Sequence, residues 1–142
     1  MPTRNADATW EGDLKGGKGT MRLAGGAYQG PYSFASRFES GQGTNPEELI
    51  AAAHAGCFSM ALSHGLAQAG FPPKRVHTTA KVHLEKGAEG FSIPRIDLVT
   101  EADVPGITEA AFREQAEKAK QGCPVSKLFR GANITLDARL VH

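Results

Sequence analysis

Apolar and polar residues alternate along several short stretches of the chain and follow a helical spacing along two longer ones. Glycines divide the N-terminal third into the segments Ala6–Glu11, Gly19–Leu23 and Tyr32–Phe38, which predicts a meander of short strands. Val76–Leu84 alternates apolar or small residues with polar ones, the period of a half-buried strand, and Ile93–Thr100 is predicted to be its partner. A hairpin loop is predicted between these two strands, and a further strand is predicted near the end of the chain.

The loop Glu85–Gly90 contains two glycines and is predicted to close a hairpin, in which Pro94 favours an edge position or a bulge. The segment Ile134–Leu140 alternates again and is predicted to be the last strand. Together with the helices described next, these strands predict a single α+β domain that spans residues 1–142.

Two helices are predicted, over Asn45–Gly70 and Thr108–Gln121. In the second, Thr108 can cap the start and Gly122 ends the helix. Its buried stripe is predicted to consist of Phe112, Ala116 and Ala119. The start of the first helix carries more detailed signals.

At the start of the first helix, Asn45 is a preferred N-cap, Pro46 suits the first helical position and Glu48 stands three residues after the cap. This arrangement predicts a capping box, in which the Glu48 carboxylate reaches back to the Asn45 amide. Glu47 has no such role. Ten residues separate it from Cys57, so the two lie about 15 Å apart along the helix axis. If Glu47 and Cys57 belong to one site, a long arginine or a second copy of the chain must bridge them.

Composition narrows the class of protein. With 142 residues, 40% of them apolar and 22% charged, the chain has the balance of one ordinary globular domain. Sixteen Lys and Arg are scattered among fifteen acids without a basic block, which argues against a nucleic-acid partner. Polar residues interrupt the apolar stretches before the roughly 20 residues that span a bilayer, and residues 1–10 lack a signal-peptide layout. We therefore expect a cytoplasmic protein that does not bind a membrane.

The chain has two cysteines, Cys57 and Cys123, whose spacing fits neither a zinc ribbon nor a Cys-x-x-Cys motif. They are either inert core thiols or a redox pair. Cys57 shares a helix face with apolar residues, so packing alone can explain it, and an activated Cys57 needs a cation from elsewhere. Cys123 precedes Pro124 and can occupy the cap of a short helix that runs through Phe129, where backbone amides favour a thiolate. A buried turn cysteine is the alternative.

The two cysteines stand within segments of characteristic sequence. These segments are Thr44–Leu49, Ala52–Phe58 and Gly122–Ser126, with Trp10–Asp13, Lys18–Thr20, Arg37–Glu39, Pro105–Ile107 and Ile134–Asp137 in support. Together they resemble signature segments of the OsmC/Ohr family of thiol-dependent organic hydroperoxide reductases, with both cysteines in the expected contexts. The resemblance spans nearly the whole chain, and His54 favours the OsmC branch.

The resemblance implies a two-cysteine peroxidase with a role in oxidative stress defence. Cys57 would attack an organic hydroperoxide and become a sulfenic acid, and Cys123 would convert it to a disulfide that an external dithiol reduces. The family suggests a dihydrolipoamide-type dithiol or a lipoylated protein as reductant, and no metal or prosthetic cofactor. It also implies an OsmC-like intertwined homodimer with antiparallel sheets, a long central helix carrying the first cysteine, and two active sites at the subunit interface.

The family holds its activating arginine with a glutamate, and Glu47 matches that glutamate because it stands ten residues before Cys57. Arg37 matches the arginine of the OsmC branch, with Arg22 and Arg130 as alternatives. A lysine would serve poorly, because only a planar guanidinium can pair with the carboxylate and still face the sulfur. An ordinary exposed charge at a strand end is the other interpretation of Arg37.

Several apolar and histidine side chains can be interpreted as either functional or structural. Five apolar side chains are candidates to line a pocket for the alkyl group of the peroxide, or they simply pack in the core: Phe38, Phe58, Met60, Phe71 and Phe129. His54 and His64 flank Cys57 on one helix face, which leaves a Cys/His metal site or a Cys–His nucleophile as minor alternatives. His77 and His83 are predicted to face solvent. At the level of function, a non-enzymatic redox sensor or small-ligand binding domain on the same fold remains the alternative.

Overall fold

A computed structural model describes residues 2–130 of the chain. Its elements mix helices with antiparallel strands, which confirms the predicted α+β class. The predicted strand Ile134–Leu140 lies outside the described residues. In chain order the elements are β1 Ala6–Glu11, β2 Lys18–Leu23, β3 Gln29–Tyr32, α1 Phe34–Phe38, α2 Pro46–Gln68, β4 Arg75–Gly87, β5 Gly90–Asp103, α3 Glu109–Gly122 and α4 Pro124–Leu128.

The chain divides into two compact units. The first unit comprises the residues up to 52 together with residues 81–96. The second unit comprises residues 53–80 together with the residues from 97 onward. No composition shift or linker in the sequence marks this division, and a single domain over the whole chain stays a prediction.

The first unit contains the antiparallel sheet β1-β2-β3. Gly19 in β2 lies opposite Trp10 in β1 and Tyr32 in β3, and a Cβ at this position would come within 2.6 Å of both rings. The two rings pack against each other across the glycine, with their centroids 5.3 Å apart. Gly19 is therefore required by close packing, because any side chain would displace an aromatic ring.

The predicted strand Tyr32–Phe38 is wrong, because β3 ends at Tyr32 and the helix α1 follows. Ser33 and Ser36 form a capping box: the Ser33 hydroxyl accepts from the Ser36 amide at 3.1 Å, and the Ser36 hydroxyl accepts from the Ser33 amide at 2.8 Å. These bonds satisfy amides that a helix start leaves unpaired, so two serines stabilise a helix of five residues whose single Phe34–Phe38 pair is too short a pattern to predict it.

The start of α2 confirms Asn45 as the cap, because Asn45 Oδ1 accepts from the Glu48 amide at 2.8 Å. The second half of the predicted capping box is wrong. The Glu48 carboxylate accepts a hydrogen bond from the Thr44 hydroxyl at 2.8 Å instead of reaching the Asn45 amide. Thr44 stands one residue before the cap and is buried, so its hydroxyl offers the carboxylate a nearer donor.

The core of the second unit is built on one stripe of α2, in which Phe58, Leu62 and Leu66 recur every four residues and are buried. Ala119 of α3 completes the cluster, and Phe112 and Ala116 pack against it, as predicted. Thr108 caps α3 by accepting from the Ala111 amide at 3.2 Å. By length and composition α2 could also cross a membrane, a test that the core helix of a soluble protein passes as well.

The hairpin strands β4 and β5 are longer than predicted, so the turn between them shrinks to Ala88 and Glu89. Gly90 follows the turn with φ 106°, a backbone conformation that suits glycine. His77 is exposed, as predicted. His83 is partly exposed, and its Nε2 lies 3.3 Å from Arg95 Nη2 of the neighbouring strand, so the prediction that it faces solvent holds in part.

Candidate active site

Arg37 and Glu47, the two charged residues predicted for the site, form an ion pair in the first unit. Arg37 Nε and Nη2 both donate to Glu47 Oε1, at 3.0 and 2.8 Å. Glu47 is only 8% exposed, and its Oε2 atom is buried without a hydrogen-bond partner among the described residues. The carboxylate thus holds one edge of the guanidinium and leaves the other edge facing away from it.

The position of Arg37 is fixed by the residue before it. The Ser36 hydroxyl donates to the Thr44 carbonyl at 2.7 Å, and the Asn45 side-chain amide donates to the Ser36 carbonyl at 2.9 Å. These bonds tie α1 to the start of α2, which carries Glu47. Arg37 is exposed, as the alternative interpretation held, but it lies on a helix with a buried partner rather than at a strand end.

Arg37 lies in the wall of a cavity of about 410 Å³ in the first unit. The Arg37 guanidinium also stands 5.3 Å from the centre of the Phe38 ring. A largely aromatic wall with one cation suits a ligand that has an apolar body and a polar end. The other lining residues are Trp10, Gly12, Leu14, Tyr32, Ser33, Phe34 and Phe38.

Of the five apolar candidates from the sequence, only Phe38 lines this cavity. Phe58 is buried in the core of the second unit, and Phe71 is half-buried. Met60 is 77% exposed, and Phe129 packs edge-on against His54 with the ring centres 5.3 Å apart. Packing therefore explains Phe58, whereas Phe129 contacts His54 and is still 46% exposed.

Cys57 and Cys123, the two predicted thiols, meet in the second unit. A hydrogen bond joins their sulfur atoms, which are 2.9 Å apart. Cys57 lies on α2 and is half-buried, whereas Cys123 is fully buried. Cys123 ends α3 and is the N-cap of α4, with Pro124 at the first helical position, as predicted. Two thiols at this separation need only a small approach to reach the roughly 2.05 Å of a disulfide bond.

The surroundings of the two sulfurs push their pKa values in opposite directions. Burial and the hydrogen bond to Cys123 raise the pKa of Cys57, and the Val125 amide offsets this only in part. Burial opposes ionisation of Cys123 too, but its hydrogen bonds with Cys57, with the Ser126 amide and hydroxyl and with the Val125 amide leave its pKa lowered. Within the second unit, the thiolate is therefore favoured at Cys123 over Cys57.

His54 is connected to the two thiols by its contact with Ser126, a residue whose role the sequence did not indicate. His54 Nε2 and Ser126 Oγ are 2.8 Å apart. His54 is 6% exposed, its Nδ1 atom is buried without a partner among the described residues, and burial lowers its pKa. Ser126 lies three residues after Cys123, in the first turn of α4. This spacing was the one feature of the sequence that could have placed Ser126 near the Cys123 thiol.

The remaining candidates lie elsewhere. Arg22 pairs with Asp7 at 2.6 Å on the exposed face of the β1-β2 pair, and Arg130 binds the Gln121 side chain and carbonyl oxygens. His64 is exposed. Within residues 2–130, no three His, Cys, Asp or Glu side chains are grouped as a metal site would require, so the Cys/His metal alternative gains no support.

Comparisons with known proteins agree on one family. The family model described as OsmC-like protein matches residues 39–138. The chain is 53% identical to Peroxiredoxin OsmC of Escherichia coli over 138 residues, 96% of each chain. It is 37% identical to the organic hydroperoxide resistance protein of Xanthomonas axonopodis pv. citri over 98 residues, 68% of this chain and 67% of that one. The crystal structure of an organic hydroperoxide resistance protein from Elizabethkingia anophelis superposes with a TM-score of 0.69 at 28% identity, covering 92% of this chain and 90% of that one.

Proposed function

The chain belongs to the OsmC-like protein family, and we propose that it is a thiol-dependent peroxidase that reduces organic hydroperoxides to alcohols in oxidative stress defence. The names of its relatives support a peroxidase-type role. The observation that carries the finer proposal is the contact between Cys57 and Cys123, two free thiols 2.9 Å apart. Such a pair can donate the two electrons that reduction of a peroxide requires, and it becomes a disulfide in doing so.

In the proposed reaction, the Cys57 thiolate attacks the distal oxygen of the hydroperoxide. The O–O bond breaks, the alkoxide takes a proton and leaves as the alcohol, and Cys57 becomes a sulfenic acid. Cys123 then attacks the Cys57 sulfur, a disulfide forms and water leaves. An external dithiol reduces this disulfide by thiol–disulfide exchange and returns both thiols.

Arg37 is proposed to supply the positive charge that Cys57 needs. The raised pKa of Cys57 means that its thiolate must be stabilised by a group beyond those that surround it in the second unit. Glu47 occupies one edge of the Arg37 guanidinium, so the other edge is available to a sulfur or a peroxide oxygen. This role requires that Arg37 reach Cys57, within one chain or in a homodimer.

The proposal includes the other partners of the reaction. The reductant is an external dithiol of the dihydrolipoamide type or a lipoylated protein, and the two thiols carry the electrons without a prosthetic cofactor or a metal. The protein acts as a homodimer in the cytoplasm, on a small-molecule hydroperoxide, without nucleic acid or membrane as a partner.

Turnover of tert-butyl hydroperoxide with excess dihydrolipoamide tests the proposal. We expect the wild-type protein to consume peroxide catalytically, and Cys57→Ser to abolish this turnover. Cys123→Ser is the matched control, because it keeps the attacking thiol: its Cys57 should oxidise once per chain to a sulfenic acid that mass spectrometry detects after dimedone trapping. If the wild-type protein turned over peroxide no faster than Cys57→Ser, the proposed peroxidase activity would be refuted.

A non-enzymatic thiol sensor or small-ligand binding domain is the second candidate, and the largely aromatic cavity that Arg37 lines favours ligand binding. A sensor would form its disulfide once per chain and would not consume peroxide beyond that, even with dithiol in excess. The same assay therefore separates the two functions.

A further inference from the structure

A continuous chain of contacts connects a buried histidine to both thiols. His54 Nε2 lies 2.8 Å from Ser126 Oγ. Ser126 stands in the first turn of α4, the helix that Cys123 caps, and its side chain contributes to lowering the pKa of the Cys123 thiol. Cys123 in turn lies 2.9 Å from Cys57. A hydroxyl group between an imidazole and a thiol can pass a proton, because it donates to one neighbour while it accepts from the other.

We infer that His54 and Ser126 form a proton relay for Cys123: His54 takes up the Cys123 proton through the Ser126 hydroxyl when Cys123 attacks the oxidised Cys57. The inference rests on the proposed function, because that attack is its second chemical step. His54 touches neither substrate nor the reacting sulfurs in this role, so it is a positioning residue that acts through Ser126.

The environment of His54 suits a base. It is 6% exposed, and burial lowers its pKa, so the neutral ring with a free acceptor nitrogen is the stable form at neutral pH. The same burial disfavours a lasting imidazolium, which makes His54 a transient carrier that returns the proton. The edge of Phe129 packs against the ring and holds its orientation.

A purely structural role explains the arrangement less well. Burying an imidazole whose Nδ1 has no partner among the described residues lowers the stability of the fold. An apolar residue at position 54 would avoid this cost, and Ser126 could still hydrogen-bond Cys123 without it. A functional use of the second nitrogen, Nε2, accounts for a polar ring in this place.

The step balances as follows. The Cys123 S–H bond breaks and its proton passes to Ser126 Oγ, while the Ser126 proton passes to His54 Nε2. The new S–S bond forms as the S–O bond of the Cys57 sulfenic acid breaks, so the sulfenic sulfur is reduced and the Cys123 sulfur is oxidised. The departing hydroxide takes one proton, which His54 returns, and leaves as water.

Rapid-quench analysis of a single turnover tests the relay. Reduced protein is mixed with one equivalent of tert-butyl hydroperoxide, and sulfenic acid and disulfide are quantified by mass spectrometry over time. We expect Ser126→Ala and His54→Asn each to slow disulfide formation about tenfold or more, so that the Cys57 sulfenic acid accumulates. Ser126→Thr keeps the hydroxyl and should stay within about threefold of wild type, as a matched control.

Because both residues act in one relay, the double variant His54→Asn/Ser126→Ala should be no slower than the slower single variant. Disulfide formation at the wild-type rate in both single variants would overturn the inference. Ser126→Thr as slow as Ser126→Ala would also overturn it, since side-chain packing rather than the hydroxyl would then set the rate.

A second measurement does not depend on peroxide chemistry. In Cys57→Ser the only thiol is Cys123, whose thiolate is titrated by its ultraviolet absorbance. Adding Ser126→Ala should raise the midpoint of this titration, because the thiolate loses a hydroxyl donor. The two variants share the other ionisable groups that lie on α2 and α4 or directly after them, so these groups do not cause a difference between the two midpoints. They are Glu47, Glu48, His64, Lys127 and Arg130.

Equal midpoints in Cys57→Ser and Cys57→Ser/Ser126→Ala would overturn the relay, whatever the protein does with peroxides. A wild-type protein that consumes no peroxide, together with a shifted midpoint, would instead refute the peroxidase and leave the Ser126 contact to Cys123 intact. The two failures are therefore distinguishable.

Discussion

The two compact units hold opposite kinds of polar chemistry. In the first unit, Arg37 and Glu47 carry full charges, and the carboxylate is buried against its partner. In the second unit, the connected groups are an imidazole with a lowered pKa, a hydroxyl and two thiols, joined through Ser126 and Cys123. The first unit holds the Arg37 guanidinium in place beside a carboxylate, and the second contains the groups of the proposed proton relay.

This difference teaches that the local surroundings of the thiols do not select Cys57 as the nucleophile. The hydrogen bond with Cys57, followed by the backbone amides and the Ser126 hydroxyl, lowers the pKa of Cys123, while burial and the bond to Cys123 raise the pKa of Cys57. A positive charge acting on Cys57 would reverse that order. In the proposed reaction the identity of the attacking thiol is therefore decided by the Arg37–Glu47 pair, and variants of the two units should fail at different steps.

The largest effect is expected from removing the charge. Arg37→Met should slow the reaction of Cys57 with tert-butyl hydroperoxide about a hundredfold, because electrostatic stabilisation of the thiolate is lost. Arg37→Lys keeps the charge but cannot pair with Glu47 through two adjacent nitrogens, and should slow the reaction about tenfold. Stopped-flow measurement of peroxide consumption in a single turnover gives these rates.

Arg22→Met is the matched control for the charge, since Arg22 pairs with Asp7 on an exposed surface. It should react at close to the wild-type rate. If Arg37→Met reacted as fast as Arg22→Met, the cation for Cys57 would not come from Arg37, and the proposed division of roles between the units would fail.

A smaller effect is expected from the helix caps, one in each unit. Ser36→Ala and Thr108→Ala both remove a hydroxyl that accepts or donates at a helix start, and each should lower the free energy of unfolding by about 1–2 kcal/mol. Only Ser36→Ala should also slow the peroxide reaction, by about threefold to tenfold, because α1 orients Arg37. Urea denaturation and stopped-flow kinetics on the two variants check this.

Equal peroxide rates in Ser36→Ala and Thr108→Ala would mean that the cap of α1 contributes stability alone. The orientation of Arg37 would then depend on Glu47 by itself.

The smallest effect is expected from acid, and it concerns the neutral groups of the second unit. Burial lowers the pKa of His54, so the unfolded chain binds a proton there at a higher pH than the folded protein does. Stability from this residue is therefore present above the ordinary histidine pKa of about 6.5 and is lost as the pH falls from there towards the folded value. Wild type should lose more stability on acidification through this range than His54→Asn, by on the order of 1 kcal/mol.

Urea denaturation above and below the ordinary histidine pKa measures this difference. His77→Asn is the control, because His77 is exposed on β4 and its removal should leave the wild-type dependence in place. An identical loss of stability in wild type and His54→Asn would contradict a neutral, buried His54.

Sequence periodicity predicted the elements that are long and amphipathic. The helix α2, its Asn45 cap and the alternating strand β4 follow from local patterns, and so does Cys123 as the cap of α4. The helix α1 has five residues, and its one apolar pair, Phe34 and Phe38, is too short a pattern to indicate a helix. It was therefore predicted as a strand.

The candidate site divides in the same way. Arg37, Glu47, Cys57 and Cys123 were predicted because they lie in segments that resemble a known family, and the structure pairs the first two and the last two. The contact between His54 and Ser126 joins residues 72 positions apart. Such a contact depends on how α4 returns to α2, and no local pattern in the sequence encodes it.

The spacing of the two cysteines has a consequence for protein turnover. Cys57 and Cys123 stand 66 positions apart, so a disulfide between them would close most of the central chain into a covalent ring. A ring of this size restricts the unfolded ensemble and prevents full extension of the chain. A protease that threads one extended chain through its pore would have to pass two chain segments at once in the oxidised form, and only one in the reduced form. The reductant that restores the thiols would therefore also make the chain open to ordinary degradation.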